Sequence, residues 1–270
     1  MKVSAYILCY NNQETILQAV DSVKNQTLRV DELFVIDDGS TDNSVRILKD
    51  NNVCVYLNHK NIGRGYSRNL AIKLSTHEYV LCCDATNALS ANFLEDSIYH
   101  LERNSSVSSI SGRLIAKNCI NFIDKWRSKH LFKENVVYPK GVQNTNLLIT
   151  YGTLMKKNHI IKCNNFDPLL TKNEDYELGC KLIKKGFKLL GHTDVFIYST
   201  ISNTLFQTME RYWRWHFSRD KHMSFTNYLK LIKACFNPMA ISDLKEYKFD
   251  LFLISMILPH YCFYKSNFCK

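Results

Sequence analysis

What the chain lacks narrows the field first. Proline is scarce, with four in 270 residues, and there is no low-complexity tract or internal repeat. A disordered or solenoid polymer is therefore excluded. No run approaches the ~20 consecutive apolar residues that a membrane-spanning helix needs. The nearest, Leu251 to Phe263, is bounded by Asp250 and interrupted by Pro259 and His260, so it reads as a packed or interfacial helix. The ten cysteines contain no Cys-x-x-Cys pair, and several lie in apolar runs such as Tyr79 to Cys83. They predict buried, reduced thiols in a cytoplasmic protein, not a disulfide framework or a zinc site. The opening residues, Val3 to Cys9, read as a strand and not as a signal peptide. Acidic residues are also short, with 25 Asp and Glu against 35 Lys and Arg, a formal charge of +10. That balance suits an anionic partner such as a nucleotide or a phospholipid surface. No patterned basic–aromatic motif supports nucleic-acid binding.

What is present is a globular composition, 46% apolar, long enough for one large α/β domain with a helical appendage. Strand-like runs at Val3 to Leu8, Leu33 to Ile36, Val53 to Leu57 and Tyr79 to Cys83 alternate with helical spacing over Gln13 to Gln26, Ser44 to Lys49, Tyr66 to Ser75 and Asn92 to Arg103. Such alternation predicts a mostly parallel sheet with right-handed crossovers and flanking helices. The rhythm changes after Ser105. Val107 to Ile115 and Leu147 to Met155 read as strands, Ile120 to Phe132 as a helix and Tyr138 to Asn146 as a loop. Asp175 to Lys185 reads as a helix, Phe187 to Ser199 as a strand, and the remainder as helical and aromatic. The expected organisation is an α/β half over 1–105, a second half of the same domain over 106–203, and a helical region over 204–270.

The most informative stretch is Val35-Ile36-Asp37-Asp38-Gly39-Ser40-Thr41-Asp42. An apolar strand runs into two carboxylates, a glycine and a helix-capping Ser/Thr pair. In open α/β sheets ligands sit beyond the carboxyl ends of strands, which places both acids where a ligand would lie. Asp-Gly-Ser is also ordinary turn and N-cap chemistry, so this stretch alone does not decide. The Gly63-x-Gly65 pair does not complete a dinucleotide fingerprint, because Arg68 stands where the third glycine belongs.

Several segments together resemble the family-2 glycosyltransferases, which have the GT-A fold. They are Val3 to Asn11, Ser22 to Thr27, Ile36 to Asp42, Asn61-Ile62-Gly63 with Ser67 to Ile72, Glu78-Tyr79-Val80 leading to Asp84-Ala85-Thr86-Asn87, Phe166-Asp167-Pro168, and Asn173 to Gly179. They cover residues 1 to about 200 in the family's order. The resemblance implies an inverting transferase that moves one sugar from a nucleoside-diphosphate-sugar, with UDP the expected carrier, to a glycan, lipid-linked or protein acceptor. It assigns Asp175 as general base, with Glu174 orienting the acceptor. Tyr10, Asn11, Glu14, Asp38, Gly63, Arg68 and Asp84 would surround the donor, Glu14 from one turn into the first helix. Arg211-x-x-Arg214-Trp215 resembles the Gln-x-x-Arg-Trp motif of processive members, so Arg211 and Arg214 would face a diphosphate or an anionic acceptor.

One departure matters. The family's Asp-x-Asp, whose last acid binds Mg²⁺ or Mn²⁺, is here Asp84-Ala85-Thr86, and Tyr198 stands near the place of a frequent histidine. A hard cation prefers carboxylate to hydroxyl oxygen, so the metal site at Asp84 and Thr86 is expected to be weak or absent. Three readings stay open: weak metal binding, neutralisation of the diphosphate by Arg and Lys, or an inactive protein that only binds nucleotide-sugar or carbohydrate. The apolar and basic C-terminal region also allows peripheral contact with the inner face of a membrane.

Overall fold

The computed structural model describes residues 1–217 and 222–269, so residues 218–221 and 270 of the expected helical region lie outside it. The chain forms two compact units, Met1–Ile115 with Tyr138–Ile201, and Ala116–Val137 with Ser202–Lys270. Residues 106–115 and 138–201 thus continue the unit begun by 1–105. The stretch 116–137 joins the C-terminal helices.

The first unit carries the sheet. Its elements are β1 (Val3–Cys9), α1 (Ile16–Lys24), β2 (Glu32–Asp37), α2 (Ser44–Asp50), β3 (Cys54–Leu57), α3 (Arg64–Leu74), β4 (Tyr79–Asp84), β5 (Asn87–Leu89), α4 (Phe93–Arg103) and β6 (Val107–Ala116). After the excursion into the second unit, where α5 spans Phe122–Trp126, come β7 (Val142–Thr145), β8 (Gly152–Lys156), α6 (Lys157–Lys162), α7 (Glu174–Lys184) and β9 (Lys188–Ser199). The strand order is β3-β2-β1-β4-β8-β6-β9-β5, with β7 pairing β9. The pairings among β3, β2, β1 and β4 are parallel. β8 runs antiparallel to both β4 and β6, and β5 and β7 run antiparallel to β9. The sheet is therefore mixed, parallel from β3 to β4. Past β4 the chain still passes through helices, α4 between β5 and β6 and α6 and α7 between β8 and β9, while β8 pairs antiparallel with β4 and β6.

The central strands are buried on both faces, which explains their unbroken apolar runs. Val3, Ala5, Ile7 and Cys9 of β1 pack with Ile16, Ala19, Val20 and Val23 of α1. Tyr6, pointing the other way, packs with Ile72 of α3, Phe166, and Leu178 and Leu182 of α7. Each buried Val, Ile, Leu or Phe among them contributes about 1.5–3 kcal/mol, and together they hold the strand tips in register.

Four local expectations are corrected. α1 starts at Ile16 and not at Gln13, because Gln13 is tied to the β2–α2 loop. Its N–H donates to Asp42 and its side-chain oxygen accepts from the Asn43 N–H. The stretch 138–146 contains β7, whose Val142–Thr145 pairs with Leu189–His192. Pro139 and Gly141 precede that strand and do not interrupt it. The strand expected from Leu147 begins only at Gly152. Of the cysteines, Cys54, Cys119, Cys180 and Cys269 are exposed, unlike the buried thiols expected, and the other six are buried.

The second unit is helical: α5, α8 (Leu205–His216), α9 (Phe225–Ala234), α10 (Ile241–Lys245) and α11 (Phe249–Phe268). Trp126 packs with Met209, Leu231, Ile254 and Leu258 and donates through Nε1 to Ser255 Oγ at 2.9 Å. Thr204 opens α8 with a capping box shared with Gln207.

Candidate active site

Register alone sets three strand tips side by side. Leu8 of β1 pairs with both Ile36 of β2 and Asp84 of β4, and Cys9 pairs with Asp37. The acids at the ends of β2 and β4 therefore flank the end of β1, from which Tyr10 emerges with its ring 45% exposed. Such a ring is open to stacking on a flat ligand.

The acids at the β2 tip face inward. Asp37 Oδ1 accepts from the N–H groups of Gly39 and Ser40 at 3.1 and 2.8 Å, closing the turn. Asp38 is 4% exposed and accepts from Asn58 Nδ2 (2.8 Å), Ile62 N (3.1 Å), Gly63 N (2.9 Å) and Ser67 Oγ (3.1 Å). Three of these donors converge on Oδ1 and one reaches Oδ2, so of the carboxylate's about four lone-pair sites Oδ2 keeps one. Asp38 braces the loop before α3 through the N–H groups of Ile62 and Gly63. Asn11 is likewise engaged. In a left-handed conformation (φ 53°), it accepts from Thr41 N at 2.8 Å through its side chain and donates its N–H to Ser40 Oγ at 2.8 Å, joining the two tip loops. Glu14 is exposed and sits before α1, not one turn inside it.

Gly63 and Gly65 serve the protein's own backbone. Gly63 has φ +109°, and a Cβ there would lie 2.9 Å from Thr171 Cα. A Cβ on Gly65 would clash with the carbonyl oxygens of Asp167 and Leu170. The close approach expected of Gly63 toward a ligand is made instead to the loop 167–171, which leads directly into Asn173-Glu174-Asp175.

Arg68, one turn into α3, is the hub. It is 1% exposed, which corrects the expected contact with a nucleotide. Its Nη2 meets Asp84 Oδ1 at 2.9 Å and its Nε meets Glu174 Oε1 at 3.1 Å. Nη1 donates to Cys82 Sγ at 2.9 Å. One guanidinium thereby fixes the acid at the β4 tip to the acid at the start of α7, far away in sequence. Glu174 is itself 1% exposed, so it positions its neighbours and does not present itself to an acceptor. Its Oε2 is buried without a hydrogen-bond partner.

Asp175 differs. It is half-buried, accepts from its neighbour Tyr176 N at 2.8 Å, and has only a long contact, 3.5 Å, from Thr150 Oγ1. Burial first, and then the Glu174 charge, push its carboxyl above the ordinary carboxylate range. Arg68, the Tyr176 N–H and Arg64 pull in the opposite direction. An acid so placed is a better base than a free aspartate. Tyr151, which the motifs did not point to, follows from register: Cys83 pairs with Gly152, which brings Tyr151 alongside Asp84. Burial raises its hydroxyl pKa, and the charges of Asp175, Tyr138 and Asp84 add to the rise. Tyr151 thus senses both carboxylates.

A divalent cation fits poorly. Asp84 has one oxygen on Arg68, Thr86 offers a neutral hydroxyl, and Tyr198 pairs with Ala88 beside it. Among the described residues no group of three or more His, Cys, Asp or Glu is placed to hold a metal. This donor set does not form a cation cage from protein groups. Arg211 and Arg214 lie on α8 of the helical unit, where the Arg211 guanidinium stands 5.9 Å from the Trp215 ring centroid.

Known proteins resemble this chain in sequence and in fold. The model of Glycosyl transferase family 2 matches residues 4–161. An uncharacterised glycosyltransferase of Methanocaldococcus jannaschii is 26% identical over 196 residues, 69% of this chain and 66% of its own length. The poly-β-1,6-N-acetyl-D-glucosamine synthase of Staphylococcus aureus is 22% identical over 221 residues, 79% of this chain and 53% of its own. The chain thus spans between about half and two thirds of the length of these relatives. Among solved structures, S. aureus TarS 1–349 in complex with UDP-GlcNAc aligns with a TM-score of 0.61 at 16% identity, covering 99% of this chain and 74% of that one. GalNAc-T7 with UDP, GalNAc and Mn²⁺ aligns at 0.59 with 15% identity, covering 95% and 56%. At these identities the likeness is one of fold, the GT-A fold.

Proposed function

Because the chain belongs to glycosyl transferase family 2, we propose that it transfers one sugar, with inversion, from a nucleoside-diphosphate-sugar to the hydroxyl of a glycan, lipid-linked or protein acceptor. TarS in its complex with UDP-GlcNAc has the same fold, which makes a UDP-sugar the donor of choice. The carrying observation is the Arg68 clamp, which ties Asp84 at the tip of β4 to Glu174, the chain neighbour of Asp175, at the start of α7.

In this reading Asp175 takes the acceptor O–H proton while the oxygen attacks the anomeric carbon. The bond to the diphosphate breaks with its electron pair leaving on the phosphate oxygen. One carboxylate of raised basicity and half-open access meets that need, whereas the buried Glu174 does not. Tyr10 would stack on the base. Asp84, whose side chain is 29% exposed, would face the donor's sugar-diphosphate end. Dependence on Mg²⁺ or Mn²⁺ is proposed to be weak or absent, since Thr86 replaces the second acid.

A donor panel tests the reading. Nucleoside diphosphates and their sugars are screened by thermal shift, and product formation is followed with and without EDTA. The expected result is stabilisation by a UDP-sugar and turnover that Asp175→Asn reduces by roughly 10²–10⁴-fold while donor binding persists. Substantial turnover in Asp175→Asn removes Asp175 from the role. Tight donor binding with no product under any metal favours the inactive, binding-only reading that Thr86 also suggests. Complete loss in EDTA restored by Mn²⁺ rejects the weak-metal proposal.

A further inference from the structure

The formal charge of the chain is unevenly shared. The helical unit, Ala116–Val137 with Ser202–Lys270, holds 15 of the 35 Lys and Arg but only 7 of the 25 Asp and Glu, so it carries +8 of the +10. Its acids are largely engaged at home. Asp243 meets Lys129, Glu246 meets Lys129 and Lys248, Glu210 meets Lys265, and Asp124 meets Arg127. Exposed lysines, among them Lys230, Lys233 and Lys245, define the outward charge.

The same unit exposes apolar surface in a pattern. α11 buries Leu251, Ile254, Leu258 and Cys262 on one face. On the opposite face Phe249, Leu253, Ile257, Tyr264 and Phe268 stand between 46% and 69% exposed. Their four- and seven-residue spacing makes one stripe along the helix, where a solvated helix would carry charges. On α9, Phe225 and Leu229 are exposed one turn apart and Lys233 follows at the next turn. The two helices are joined by touching rings: Phe225 with Tyr228 (5.9 Å), Tyr228 with Phe263 (4.5 Å), and Phe268 with both Phe263 (6.5 Å) and Tyr264 (5.8 Å). A contiguous aromatic patch in a strongly basic unit is the pairing that anionic bilayers bind: rings enter the headgroup boundary while lysines meet the lipid charge. No described helix is long and apolar enough to cross a membrane, so such a patch lies on the surface and does not span it.

We propose that the α9–α11 face of the helical unit is a docking surface for an anionic phospholipid bilayer. It rests on exposure and charge in this unit and is independent of whether the other unit transfers sugar. The test is co-sedimentation of the full chain with neutral phosphatidylcholine vesicles and with vesicles holding about 30% phosphatidylglycerol, in about 0.1 M salt. Binding to the anionic vesicles only is expected. The charge-neutral variant Leu253→Ser/Tyr264→Ser/Phe268→Ser should lose about tenfold in partition, equivalent to ~1.4 kcal/mol. Lys230→Glu/Lys233→Glu, substituted only at exposed positions, should lose a similar factor. No sedimentation of the parent chain overturns the proposal. So does a serine variant that keeps its native melting transition and binds like the parent, since charge alone would then explain the attraction. A parent chain that dimerises in light scattering, with a monomeric serine variant, assigns the face to a second copy and also overturns it. If the serine variant fails to fold, the lysine variant decides, and undiminished binding by it counts against the proposal.

Discussion

Each unit buries a charge hub, and the two hubs are balanced in opposite ways. In the helical unit Asp243 is fully buried, and every approach to it is filled. Lys129 Nζ lies 2.8 Å from Oδ1, His130 Nε2 lies 2.9 and 3.0 Å from the two oxygens, and Ser255 Oγ donates to Oδ2 at 3.1 Å. In the sheet unit the buried Arg68, with the exposed Arg64 acting on Asp175, stands against three acids, Asp84, Glu174 and Asp175, so negative charge is in surplus. Glu174 Oε2 lacks a partner, and Asp84 and Asp175 remain partly open. A saturated buried network fixes a fold. An unsaturated one, half-open to solvent and with a displaced pKa, marks the place for chemistry.

The largest test of this contrast removes each hub. Asp243→Ala and Arg68→Met both leave buried partners uncompensated, and each should lose about 3–5 kcal/mol in urea unfolding. Their effects on activity should part. Folded Asp243→Ala, assayed at low temperature, should keep its transfer rate per folded molecule. Arg68→Met should lose transfer even in the folded fraction, because Asp84 and Glu174 are no longer held together. Arg68→Lys should resemble Arg68→Met, since an ammonium cannot serve both carboxylates with a planar fork. Equal loss of transfer in folded Asp243→Ala and Arg68→Met would break the distinction between scaffold and site.

The contrast also explains what was legible in the sequence. Apolar runs ending in acids revealed the strand tips, and Asn173-Glu174-Asp175 was recognisable at a helix start, because those are local patterns. Which acid faces a ligand was not legible, since that depends on who else reaches it. The donors to Asp38 come from positions 20 to 29 residues away, and Arg68 meets Glu174 across 106 residues. Motif spacing locates a charge but not the neighbours that neutralise it. β7 was hidden for a related reason: Pro139 and Gly141 mark the turn before it, and its pairing to β9 is made at long range. Tyr151 carried no motif of its own and emerged only through the β4–β8 register.

A smaller perturbation sharpens the comparison from the backbone side. Gly65→Ala drives a Cβ into the carbonyl oxygens of Asp167 and Leu170, and neither is the yielding end of a flexible side chain. The loop into Glu174 must shift, at a cost of about 1–3 kcal/mol. Transfer should fall by more than donor affinity does, because the shift displaces the α7 acids while leaving Tyr10 in place. Gly191→Ala, whose Cβ meets nothing within 4 Å, is the control and should stay within ~0.5 kcal/mol of the parent. Equal effects from the two substitutions would show that the 167–171 contact does not position the site.

The smallest effect carries the opposite sign. Burial and the Glu174 charge raise the Asp175 pKa above its unfolded value. The stability associated with its protonated form is therefore fully present below the unfolded pKa and is lost as pH rises through the folded one. At pH 7 the parent has lost that contribution, while Asp175→Asn, which mimics the protonated acid, keeps it. The variant should accordingly melt at a slightly higher temperature than the parent at pH 7, with the difference shrinking as pH falls toward about 3, below the ordinary carboxylate range. Transfer by the parent should decline over the same acid limb, as the base becomes protonated. A melting temperature at pH 7 that falls in Asp175→Asn would mean that the charged carboxylate is held by good partners. The Arg68 cluster would then be saturated like that of Asp243, and the physical reason for placing the base there would be gone.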